Sequence, residues 1–148
     1  MIAARPRLAV RAAILHEDRL LMVNAWPDQR SDLWCLPGGG VEPGQSLPEN
    51  LIRELHEETG LAIRVGPMIL VNEFHDPGGS FHQVELVFRA SLSAGTAITL
   101  DDPECVVNRF CWVSRQELVR LRHKPALLAR AVWGQHAAWY DRLEPITT

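Results

Sequence analysis

Glu54, Glu57 and Glu58 are hard to explain as ordinary surface residues. On a helix, positions i, i+3 and i+4 share one arc, so the three carboxylates crowd together. Like charges at that spacing repel by roughly 0.2–0.5 kcal/mol per pair. Glu57 and Glu58 also fall in the last turn before Gly60, where the helix dipole disfavours anions. Arg53 can bridge to Glu57 at i+4, but one arginine does not neutralise three glutamates. A solvated face would intersperse lysines. Clustered carboxylate oxygens are the ligands a hard divalent cation takes, and that is the chemistry the cluster points to.

The elements that must position these groups are legible on either side. Ser46 and Glu49 have the S-x-x-E spacing of a capping box, which predicts a helix start, and Gly60 predicts its left-handed end. Between them Pro48, Leu51, Ile52, Leu55 and Thr59 fall on one side at about 100° per residue, a stripe expected to face the core. Upstream, Trp34-Cys35-Leu36-Pro37 leads into Gly38-Gly39-Gly40. Proline holds the chain extended there, and the glycines let backbone approach a metal or a phosphate closely.

From Gly39 to Leu61 the chain resembles the Nudix box of the Nudix hydrolases, G-x5-E-x7-R-E-U-x-E-E-x-G-U, with U a bulky aliphatic residue. Gly39, Arg53, Glu54, Leu55, Glu57, Glu58, Gly60 and Leu61 match it, and Gln45 stands where the family has its first glutamate. The resemblance implies an α/β fold, a Nudix-type α/β/α sandwich around a mixed β-sheet. It implies hydrolysis of a nucleoside diphosphate linked to another moiety, releasing a nucleoside monophosphate, with water as the nucleophile. Nucleoside triphosphates, ADP-ribose and nucleotide sugars are the substrates left open. Glu54, Glu57 and Glu58, with the carbonyl of Gly38, would hold Mg²⁺ or Mn²⁺, and Arg53 joins the three glutamates in the catalytic set. The general base is left open among Glu54, Glu85, Asp101, Asp102 and Glu104. Glutamine at position 45 can still accept a hydrogen bond from Arg53, without the strength a charge adds. The alternative is a non-catalytic Nudix-fold module that senses a nucleotide. Three retained glutamates weigh against it.

The whole chain sets wider bounds. Its 148 residues suit one domain over 1–148, long enough for a real core. A formal net charge of −3 gives no general attraction to nucleic acid or anionic lipid, and the small-molecule nucleotide partner is what the resemblance implies. A homodimer is left open. The start, MIAARPRLAV, lacks a sustained apolar segment followed by a cleavage site, and no apolar run is long enough to span a bilayer. Cys35, Cys105 and Cys111 are odd in number and form no C-x-x-C pair. They read as small hydrophobes in a reducing cytoplasm.

In chain order, 8–15 and 20–25 read as two strands joined at His16-Glu17-Asp18-Arg19. Arg11 interrupts the first. It reads as solvent-facing on a half-buried strand or, by the resemblance, as a substrate contact. Residues 62–65 and 68–74 read as two short strands, and Asp76-Pro77-Gly78-Gly79 as a turn flanked by His75 and His82, both expected to be exposed. Residues 81–90 then alternate as a central strand. Glu85 lies opposite in facing to Val84 and Leu86, and a carboxylate on a sheet face is a candidate for the active site. Asp101-Asp102-Pro103-Glu104 reads as an acidic loop and 110–113 as the last strand. Ser114 and Glu117 predict a second capping box and a helix to about His123. Another helix is expected from Pro125, with Leu127, Leu128, Ala131, Val132, His136 and Trp139 on its apolar side.

Overall fold

The structure is a computed structural model that describes residues 5–24, 26, 31–98, 109–135 and 138–147. In chain order its elements are β1 (Arg7–His16), β2 (Arg19–Asn24), β3 (Trp34–Cys35), β4 (Gly38–Gly40), α1 (Leu47–Thr59), β5 (Ala62–His75), β6 (His82–Ala94), β7 (Phe110–Val113), α2 (Arg115–Arg120), α3 (Leu128–Trp133) and β8 (Trp139–Pro145). The strands form one mixed sheet in the order β3-β2-β1-β6-β5-β8, with β4 against β1 and β7 against β2. β1 runs parallel to β6, β5 antiparallel to β6, and β8 parallel to β5.

Alternation along β1 explains the layers. Val10, Ala12 and Ile14 face one side, where they pack with Leu51 and Leu55 of α1 and with Leu61 and Ile63. Ala13 faces the other, with Leu70, Val87, Leu118 of α2, and Leu128 and Val132 of α3. Helices therefore cover both faces, giving the expected α/β/α sandwich. Each buried leucine is worth roughly 1.5–3 kcal/mol, so these two patches set which way α1 and α3 face. Glu17 and Asp18 take positive φ, 52° and 60°, which closes the tight β1–β2 turn read from the sequence.

Five expectations are corrected. Residues 62–65 and 68–74 belong to one strand, β5, whose pairing with β6 shifts register between Val65 and Met68 and between Met68 and Leu70. Gly66 and Pro67 are absorbed as an irregularity rather than a break. The helix expected from Pro125 to Trp139 spans only Leu128–Trp133, because Gly134 turns extended at φ −80° and ψ 173°. Trp139 and Tyr140 lie instead on β8, which makes β7 not the last strand. His136 is outside the described residues, as are Asp101, Asp102, Glu104 and Cys105. On α1, Pro48 and Ile52 are exposed, and the buried residues are Asn50, Leu51, Leu55 and Thr59. Asn50 is turned inward because its side chain finds partners there. α2 stops at Arg120, not His123, although Ser114 caps its start by accepting from Glu117 N.

Candidate active site

α1 is fixed at both ends. Ser46 Oγ accepts from the Glu49 amide at 3.2 Å, and the Glu49 carboxylate accepts from the Ser46 amide at 3.3 Å. Gly60 closes the helix at φ 74°. Asn50 then ties the helix to the glycine loop. Its Oδ1 accepts from the Glu42 amide at 2.9 Å and from Arg53 at 3.2 Å, and its Nδ2 donates to the Gly40 carbonyl at 3.1 Å. With both ends and one side pinned, the glutamates are held along β4.

Gly38 and Gly39 have no room for side chains. Gly38 sits at φ 153°, and a Cβ there would lie 2.0 Å from the Val10 carbonyl oxygen. At Gly39 a Cβ would meet the Glu54 carboxylate at 2.4 Å. The Gly38 amide donates to Glu58 Oε2 at 3.3 Å. Glu54 and Glu58 therefore both bring carboxylate oxygens to the glycine loop.

Arg53 organises the remaining charge. Its Nε donates to Gln45 Oε1 at 3.1 Å, one terminal nitrogen donates to both oxygens of Glu57 at 3.1 and 3.2 Å, and the other lies 3.2 Å from Glu54 Oε1. Burial pushes the Glu54 carboxyl above its ordinary value; Arg53 opposes the shift and Glu57 adds to it. Among the described residues no three His, Cys, Asp or Glu side chains converge into a closed metal cage. Glu57 is turned to Arg53. Even so, two carboxylates packed against a loop too tight for side chains are hard-oxygen donors of the kind a divalent cation takes.

On the opposite face of the sheet from α1, next to β4, lies a cleft of about 270 Å³. Phe74, Phe81, Leu33 and Pro125 supply apolar wall, and Arg7, Gln83, Glu85, Asn72 and Asp141 supply polar lining. Glu85 is buried and gathers donors: Arg11 Nε at 3.1 Å, Gln83 Nε2 at 2.8 Å, and Asn72 Nδ2 at 3.5 Å. Arg11 also donates to the Leu36 carbonyl at 3.4 Å, just before the glycine loop. It thus joins the cleft floor to the loop that the glutamates approach. Burial opposes the charge on Arg11, but Glu85 foremost, with Glu58, outweighs it and raises the guanidinium's pKa. Burial also pushes the Cys35 thiol up to about 12, so this cleft-lining cysteine is neutral.

The sequence and the fold agree with known proteins over this region. A family model of the NUDIX domain matches residues 5–133, most of the chain. The chain belongs to the NUDIX family. An ADP-ribose pyrophosphatase of Methanocaldococcus jannaschii is 30% identical over 97 residues, 66% of this chain and 57% of that protein. A CTP pyrophosphohydrolase of Escherichia coli is 34% identical over 77 residues, 51% of this chain and 57% of that protein. The chain spans about half the length of the curated relatives it matches. Among solved structures, a MutT protein from Bacillus halodurans superposes with a TM-score of 0.72 at 20% identity, covering 92% of this chain and 88% of that one. At that identity the likeness speaks for the NUDIX fold. NUDIX hydrolases as a group use divalent metals.

Within this NUDIX fold, Glu54 and Glu58 meet the loop at Gly38, whereas Glu57 pairs with Arg53. Arg11 and Glu85, singled out separately in the sequence, form one ion pair, with Glu85 buried and Arg11 half-buried. His75 and His82 are half-buried rather than exposed; they pair across the β5–β6 hairpin, and His82 Nε2 lies 2.9 Å from the Glu73 carboxylate. Sequence reasoning missed Asn50, Asn72 and Asp141. A signal was there for the first two: asparagine is a poor helix former inside α1 and an intruder in the apolar run Ile69-Leu70-Val71 before Asn72.

Proposed function

We infer that this chain is a metal-dependent pyrophosphohydrolase, a single catalytic domain over residues 1–148 acting on a nucleoside diphosphate linked to another moiety. Water cleaves the diphosphate bond, and the products are a nucleoside monophosphate and the phosphorylated remainder. One observation carries the reading: the glycine loop that receives Glu54 and Glu58 is joined through Arg11 to a cleft of nucleoside size.

The residues divide the work by position. Glu54, Glu57, Glu58 and the Gly38 carbonyl would hold Mg²⁺ or Mn²⁺, Glu57 by leaving Arg53. When bound, the cation supplies charge neutralisation on the diphosphate and activation of water. Arg53 keeps the crowded carboxylates from splaying apart. Glu54 is the described candidate for general base, since Glu85 is committed to Arg11, Gln83 and Asn72. Arg11 and Glu85 serve the substrate side by fixing the cleft floor. Free thiols at Cys35 and Cys111 and the lack of a helix long and apolar enough to cross a membrane, among the described residues, fit action in the cytoplasm.

Substrate class is tested by incubating the protein and Mg²⁺ with nucleoside triphosphates, ADP-ribose and nucleotide sugars, then separating products by ion-exchange chromatography. Release of a nucleoside monophosphate from at least one class is expected. Binding of nucleotides without any monophosphate release would leave a sensing module and overturn the hydrolase reading.

A further inference from the structure

One row of the cleft floor carries hydrogen-bond acceptors, with the donors Arg7 and Arg11 also in the lining. Register places Glu85 of β6, Asn72 of β5 and Asp141 of β8 in one row, so the three side chains share a face. The Asn72 amide is oriented by its neighbour: Nδ2 faces the Glu85 carboxylate, because the flipped rotamer would set oxygen against oxygen. That leaves Asn72 Oδ1 buried, with no hydrogen bond from any described residue, in a side chain that is 5% exposed and lines the cleft. Beside it Asp141 is 7% exposed, accepts only a backbone bond from Leu127 at 3.0 Å through Oδ2, and has no cation paired with it among the described residues. An orphaned buried carbonyl and a carboxylate without a cation, adjacent at the floor of an apolar-walled cleft, ask for a ligand that brings N–H donors.

We propose that Asn72 and Asp141 make this a cleft selective for nucleotides whose base carries an exocyclic amino group, and against uracil and hypoxanthine. Cytosine, adenine and guanine each present an amino group at the pairing edge; uracil presents a carbonyl oxygen at the position of the cytosine amine, and hypoxanthine lacks the 2-amino group of guanine. A carbonyl oxygen set against Asn72 Oδ1 or the Asp141 carboxylate gains nothing and repels. Phe74 and Phe81, with rings 5.9 Å apart, supply apolar wall for the flat base. The volume of about 270 Å³ admits one nucleoside rather than two. The proposal rests on the hydrolase reading only in assigning the nucleoside end of the substrate to this cleft.

The test is equilibrium binding by calorimetry of CMP against UMP, and GMP against IMP, in EDTA, so that no turnover is needed. CMP is expected to bind roughly tenfold or more tighter than UMP, and GMP than IMP, the scale set by one unpaired buried polar group. Asn72→Leu should bring both ratios to within about threefold of unity, in a variant whose cooperative melting shows that it is folded. Should that variant fail to fold, Asp141→Asn keeps an acceptor for the Leu127 amide and should lower both ratios. Equal affinities within each pair for the parent, or ratios untouched in a folded variant, would overturn the proposal. Amine selectivity without monophosphate release would keep the proposal and sink the hydrolase reading; release without selectivity would do the reverse.

Discussion

Gln45 shows how far a single position bends the site. It accepts from Arg53 Nε at 3.1 Å, as expected, but as a neutral partner beside an arginine that also serves Asn50, Glu54 and Glu57. A carboxylate at that position would strengthen one bond to a partly exposed guanidinium, worth roughly 0.2–1 kcal/mol. Gln45→Glu is therefore expected to raise Tm by about 1–3 °C in a thermal melt. A fall would mean that a further carboxylate overcrowds Arg53. Contacts of this kind were legible because they are local: the i+4 spacing fixes Arg53 to Glu57, and the box spacing brings Gln45 within reach. The Arg11–Glu85 pair was not, since it spans 74 residues and exists only because β1 and β6 lie in parallel register. Asp141 was hidden for the same reason, since it reaches Asn72 only through the parallel pairing of β8 with β5.

Among the elements, α1 was readable nearly residue by residue, because a capping box, an apolar period and a terminal glycine are all written within fourteen positions of each other. Its rotation was not, because only the partners of Asn50 decide that this polar residue turns inward and Ile52 outward. β8 was missed altogether. Its pairing is with β5, far upstream, and Trp139 and Tyr140 satisfy a helical apolar pattern as well as a strand's. Glu73 pins this edge: its carboxylate accepts from Tyr140 of β8 and pairs with His82 of β6. Those two hydrogen bonds hold the Glu73 carboxyl below its ordinary pKa. A carboxyl whose folded pKa is lowered adds stability above its unfolded pKa and loses it as pH falls through the folded value. Glu73→Gln should accordingly lower Tm at pH 7 and lower it less as the pH is taken down through and below 4.5. A Tm difference that stays constant over that acid range would show that the carboxylate charge is not what holds the edge.

At the scale of the molecule, α1 and the cleft lie on opposite faces of one sheet and meet at the edge where β4 pairs with β1. Binding of a divalent ion at that edge should stabilise the fold by RT ln(1 + [L]/Kd), roughly 1–3 kcal/mol at saturating excess, or a Tm rise of about 3–10 °C over EDTA. Ca²⁺, tolerant of irregular oxygen cages, should stabilise as Mg²⁺ does while failing to support turnover. A Glu54→Gln, Glu58→Gln double variant should melt at or above the metal-free parent, because repulsion is removed, and should not respond to metal. An undiminished metal response would place the ion elsewhere. The most direct measurement is the rate of nucleoside monophosphate release against Mg²⁺ concentration, for the parent and for Glu58→Gln, on the best substrate of the panel. The parent should be silent in EDTA and rise to saturation with Mg²⁺, and Glu58→Gln should fall by more than roughly 100-fold. Hydrolysis that persists in EDTA, or a variant within tenfold of the parent, would contradict a metal-dependent reaction at this glycine loop.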